Sequence, residues 1–89
     1  MAAVPEARKP PVSPTTAEFG RRVRARRTEM GLSQEALAAD ADIHWSYLGQ
    51  IERGHVNLTL HSIVRLAATL KVDAGTLVSS LPVPPESRM

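Results

Sequence analysis

Apolar positions along residues 15–81 recur at the three- and four-residue spacing of helices that share one core. Phe19, Val23 and Met30, with Ala17 near them, form the buried stripe of a first helix predicted over residues 16–30. Thr15 and Glu18 fit a capping box at its start, and Gly31 stops it. Leu32 plugs the gap to a second helix, which Ser33 caps and in which Ala36, Leu37, Ala38 and Ala41 make a small apolar face. That helix should end near Asp40 and Ala41, because Asp42 tolerates the left-handed backbone of a sharp turn. In a third helix Ile43, Leu48 and Ile51 point inward, Trp45, Ser46, Gly49, Gln50 and Arg53 fall opposite, and Gly54 terminates it. Thr59 caps a fourth helix running to about Leu70, with Leu60, Ile63, Val64, Ala67 and Leu70 inward. Asp73 caps a last short helix over residues 74–80, where Val72, Leu77, Val78 and Leu81 are apolar.

The predicted architecture is a compact all-α domain of five helices over residues 15–81. A flexible proline-rich arm, residues 1–14, precedes it, and a flexible tail, residues 82–89, follows. Helices 2 and 3, joined by a tight turn, form a helix-turn-helix. The outward face of helix 3 carries a bidentate amide, a small hydroxyl, a glycine and a large aromatic, where a merely solvated face would carry Lys and Glu. Gln bonds two edge atoms of adenine, Ser donates or accepts, and Gly admits a close backbone approach.

Several spacings then agree at once. The start Gln34-Glu35-x-Leu37-Ala38, Ile43 after the turn, and the ending Ile51-Glu52-Arg53-Gly54 resemble the Cro/C1 (XRE) class of lambda-repressor-like DNA-binding domains, from about Phe19 to about Leu81. Within that class, His44-Trp45-Ser46-Tyr47 and Asn57-Leu58-Thr59 resemble the small controller proteins of restriction–modification systems. One departure is Asp42, at a turn position the class usually fills with Gly.

The resemblance implies a sequence-specific regulator of transcription that binds double-stranded DNA as a homodimer, with helix 3 in the major groove. Trp45, Ser46 and Gln50 are the expected base-reading residues. Trp45 has a second reading, as a contact to a partner protein. Gln34, His44, Tyr47, Arg53 and Asn57 are expected at phosphates. Gln34 can also brace helix 3, and Tyr47 is core by its spacing from Ile51 on the alternative reading. Arg27 lies on the buried side of helix 1 and needs an internal partner. The resemblance supplies Glu52. The apolar excess of the last helix, Leu77, Val78 and Leu81, is the expected dimer surface. A rival function on the same fold is a protein-interaction or antitoxin-like subunit.

Composition narrows the field. A chain of 89 residues holds one domain, and one this small buries only ~60% of its unfolded surface, so a second subunit would help stabilise it. There is no cysteine, hence neither a disulfide framework nor a cysteine-ligated zinc site. The three histidines and nearby acids match no zinc or hydrolase spacing, and catalysis, cofactors and a small-molecule effector are not expected. No apolar run approaches the ~18 residues that cross a bilayer, and the amino end carries Glu6, Arg8, Lys9 and prolines where a signal peptide would need an apolar core, so the expected location is the cytosol and, with DNA as partner, the nucleoid. Net charge is only +2. Five arginines, however, crowd into residues 21–27, while residues 33–54 are on balance acidic. Phosphate attraction is therefore expected from the flanks and sequence reading from a nearly neutral helix. Apart from Arg27, these arginines read as surface residues. Arg8 and Lys9 of the arm are further candidates for phosphate or minor-groove contact.

Overall fold

A computed structural model describes residues 9–85. Arg8 and the outer parts of the arm and the tail lie outside the described residues. Five helices follow in order: α1 (Pro14–Glu29), α2 (Gln34–Ala41), α3 (Trp45–Glu52), α4 (Leu60–Thr69) and α5 (Ala74–Val78). Phe19 and Val23 of α1, Leu37 of α2, Leu48 and Ile51 of α3, Leu66 and Leu70 from α4 and its cap, and Leu77 of α5 close one core. Every helix thus contributes to the same interior, and α3 is held between α1 and α2.

The start of α1 differs from the predicted one. Ser13, not Thr15, is the N-cap, and its partner is Thr16 instead of Glu18: Thr16 N donates to Ser13 Oγ at 3.2 Å and Ser13 N to Thr16 Oγ1 at 3.1 Å. Pro14 explains the shift, since proline suits the first helical position and pushes the residue before it into extended backbone. Glu18 is left free for Arg21 and Arg22, one turn on, each 2.9 Å from it. Those bonds, Arg21's first and Arg22's second, lower the Glu18 carboxyl from its ordinary 4.5 to about 2.

Four helices end in the same way, with one residue in the left-handed region and the next N–H reaching back five residues. The residues are Gly31, Asp42, Gly54 and Lys71, with φ of 72°, 59°, 80° and 58°. The closing bonds run from Leu32 N to Arg27 O, Ile43 N to Ala38 O, His55 N to Gln50 O and Val72 N to Ala67 O, at 2.9 to 3.1 Å. Asp42 does take the left-handed turn expected of it, a conformation that Asp tolerates better than most non-glycine residues.

Two parts of the apolar pattern fall elsewhere. On α4, Leu60 and Val64 are 72% and 50% exposed, whereas Leu66, absent from the predicted stripe, is buried. The inward face is Ile63, Leu66, Ala67 and Leu70, rotated away from residues 60 and 64. On α5, which ends at Val78, Leu77 is 1% exposed and belongs to the core of the single chain, so it offers no surface to a second copy. Val78 is exposed and Leu81 half-buried. Asp73 precedes α5 but makes no side-chain capping bond.

The arginines of α1 are less superficial than expected. Arg22 Nη1 donates to the carbonyls of Ser79 at 2.8 Å and Leu77 at 3.3 Å, and Arg26 Nε to that of Leu70 at 2.9 Å. They tie α1 to the carbonyl ends of α4 and α5, satisfying acceptors that a helix end leaves orphaned. The stretch before α1 is also anchored. Val12 N donates to Gly54 O at 2.8 Å, and His55 Nε2 lies 3.0 Å from Lys9 O, so residues 9–13 are docked against the end of α3.

Candidate nucleic-acid interface

α3 is amphipathic over its eight residues: Leu48, Gly49, Ile51 and Glu52 are buried, while Trp45, Ser46, Tyr47 and Gln50 are exposed. Its start is fixed by an imidazole. His44 is the N-cap, and its Nδ1 accepts from Ser46 N at 3.1 Å. The ring also stacks on Trp45, with centroids 5.9 Å apart and planes 27° from parallel.

The buried side of α3 is braced by one carboxylate. Arg27 Nε donates to Glu52 Oε2 at 2.6 Å and Nη2 to Oε1 at 3.0 Å, a bidentate pair whose side chains are 13% and 3% exposed. The bond to Glu52 raises the Arg27 pKa, so the guanidinium stays charged. Nη1 donates to Leu32 O at 2.8 Å, and Gln34 Nε2 donates to Glu52 Oε1 at 3.0 Å. Arg27 of α1, itself tied to the α1–α2 loop, and Gln34 of α2 therefore converge on the last residue of α3, and its outward face is held at a fixed angle.

Gly20 permits this packing. A Cβ on Gly20 would stand 2.3 Å from Ile51 O and 2.6 Å from Glu52 O, so α1 touches the end of α3 backbone to backbone. Gly49, expected on the outward face, is instead buried; a Cβ there would meet Arg53 Nη1 at 3.2 Å and Gln34 Nε2 at 3.8 Å. The Arg53 side chain thus folds back along α3 beside Gly49.

The other expected residues divide as follows. Trp45 is 52% exposed, and Ser46 and Gln50, four positions apart, share its open side of α3. Tyr47 is 36% exposed, and its ring borders a cavity of about 30 Å³ lined also by Ile43, Ile51, Leu58 and Arg65. Arg53 and Asn57 are exposed. Gln34 is half-buried, with its amide nitrogen committed to Glu52. Sequence reasoning missed Gly20, the carbonyl-binding roles of Arg22 and Arg26, and the docking of residues 9–13. A glycine inside a run of helix formers was the available signal for the first. For the others there was none, because carbonyls as partners leave no trace in residue type.

Comparison with known proteins gives a consistent picture. The model of the helix-turn-helix family HTH_3 matches residues 23–77. Control protein C.BamHI of Bacillus amyloliquefaciens is 38% identical over 61 residues, which cover 67% of this chain and 75% of that protein. Among solved structures, the restriction–modification controller protein C.AhdI from Aeromonas hydrophila superposes with a TM-score of 0.68 at 42% identity, covering 70% of this chain and 94% of that one. SinR, a master regulator for biofilm formation solved in complex with DNA, superposes with a TM-score of 0.65 at 34% identity, covering 68% and 98%.

Proposed function

The chain belongs to the helix-turn-helix family HTH_3, and from that membership we propose that it is a sequence-specific regulator of transcription acting on double-stranded DNA. The observation that carries this reading is the contrast between the two sides of α3. Behind it, Arg27, Gln34 and Glu52 form a bonded brace; in front, Trp45, Ser46 and Gln50 stand open to solvent with no charge among them. A rigid helix with an uncharged, hydrogen-bonding front is suited to base edges in a major groove. Gln50 is the principal reader and Ser46 its companion one turn earlier. We assign the phosphate contacts to His44, Tyr47, Arg53 and Asn57, all exposed side chains, which would position this face without reading sequence. Gln34 acts first as a brace and contributes to phosphate binding only through what its amide leaves free. The protein acts at the nucleoid, and no helix among the described residues is long and apolar enough to cross a membrane.

A homodimer is the form in which it binds, placing two copies of α3 in successive major grooves ~34 Å apart. With Leu77 in the core, the apolar surface for that contact comes from Val78 and Leu81, with Leu60 and Val64 on α4 as further exposed apolar positions.

Selection from random duplex DNA, followed by a salt titration on the recovered site, tests the function. The expected result is a site of two related halves and an affinity that falls with log salt at a slope of about −0.9 per phosphate contacted. Gln50→Ala should reduce the preference for that site more than binding to unrelated DNA. Enrichment of no sequence, together with capture of a protein partner that requires Trp45, would favour the interaction-subunit function instead.

A further inference from the structure

The Ser46 hydroxyl is constrained by its neighbour. His44 Nδ1 accepts from Ser46 N at 3.1 Å and lies 2.8 Å from Ser46 Oγ. A ring nitrogen that accepts from a backbone N–H carries no proton itself, so the neutral His44 holds its hydrogen on Nε2. Between Nδ1 and Oγ the remaining hydrogen is that of the hydroxyl, which donates to the ring. Stacking on Trp45 steadies the imidazole in that position. Ser46 is exposed, and what it has left to present is its oxygen lone pairs.

We propose that His44 locks Ser46 as a hydrogen-bond acceptor, so that the first turn of α3 selects an exocyclic amine in the major groove. The matching groups are N6 of adenine and N4 of cytosine; the O4 of thymine and O6 of guanine, themselves acceptors, are rejected at the same point. A serine with a free hydroxyl serves either kind of edge and discriminates neither. Here the discrimination comes from a positioning residue that does not touch the base. The Nε2–H of His44, on the far side of the ring from Ser46, remains for a phosphate oxygen. This inference rests on the DNA-binding function proposed above and specifies its chemistry.

Its test uses the full chain and the site recovered from random DNA, remade with one functional group deleted at a time. Adenine is replaced by purine, cytosine by 2-pyrimidinone, and each pairing base by an analogue lacking its major-groove oxygen. At one position, loss of the amine should weaken the wild type by about fivefold to tenfold and leave Ser46→Ala no weaker than before. Whether that position holds adenine or cytosine identifies the amine. Reversing the same base pair, which puts a carbonyl where the amine stood, should cost the wild type at least about tenfold. His44→Ala frees the hydroxyl to turn and should shrink that penalty to under about threefold. His44→Asn, whose side-chain oxygen accepts in the same way, should restore it. Coupling of Ser46 to an oxygen, or to no position, overturns the proposal. So does an unchanged penalty in a His44→Ala chain with native far-UV circular dichroism. Recovery of no DNA site would overturn the DNA-binding function itself, an outcome distinct from a recovered site that ignores Ser46.

Discussion

Glu52 holds the end of the helix proposed to read DNA, since both Arg27 and Gln34 bond its carboxylate there. Removing one member of a buried ion pair strands the other, and Glu52→Ala should destabilise the fold by about 3–5 kcal/mol. Urea unfolding monitored by circular dichroism measures this, and a loss under ~1 kcal/mol would mean that the brace is structurally minor. The partner of Arg27 was legible beforehand, because a guanidinium on the buried side of α1 demands one and the family resemblance supplied Glu52. A bracing role for Gln34 was expected from the resemblance too, but its partner was not. Its place in the first turn of a helix points equally to a phosphate, and nothing in residue order brings a carboxylate 18 positions away to within 3.0 Å of its amide. The grip of His44 on the Ser46 hydroxyl depends on a ring angle that residue order does not carry.

At the scale of the element, α1 is the keel of the molecule. Gly20 lets it meet the end of α3 backbone to backbone, and Gly20→Ala would drive a methyl to 2.3 Å from Ile51 O. Because that neighbour is backbone and not a flexible side chain, the cost should be at least about 1–3 kcal/mol, visible as a lowered Tm. α1 also carries a pH-dependent contribution. The Glu18 pKa is depressed in the fold from 4.5 to about 2, so its stabilisation is present above pH 4.5 and is lost as pH falls from there through about 2. Acid titration of the unfolding free energy should show this leg, and Glu18→Gln should flatten it. Helix existence and most ends were readable from apolar spacing, Gly31, Ser33, Asp42 and Thr59. The rotation of α4 was not, because Leu60, Ile63, Val64, Leu66 and Ala67 crowd enough apolar residues into two turns that several faces qualify. Contact with α2 and α5 selects among them.

At the scale of the whole molecule, the apolar surplus and the modest charge of +2 belong together. With most α1 arginines bonded within the protein, few are left to hold phosphates, and one copy gives DNA a small footprint. The second copy of the proposed homodimer would double the footprint. Val78→Asp should therefore shift the mass seen by light scattering toward the monomer and weaken binding to a two-half site more than to a single half. An unchanged mass would place the contact elsewhere. Leu77→Asp should instead unfold the chain, since that side chain is 1% exposed and well inside the core.

The 2.6 Å bond from Thr15 Oγ1 to Pro82 O carries a practical corollary for engineering. The segments that flank the helical body, residues 12–16 on one side and 84–85 on the other, meet at one corner, next to Asn57 in the connection after α3. A short splice between them would make a circular permutant without crossing the body of the protein. Cargo inserted into either flanking segment, a fluorophore or a nuclease alike, would ride at that same corner.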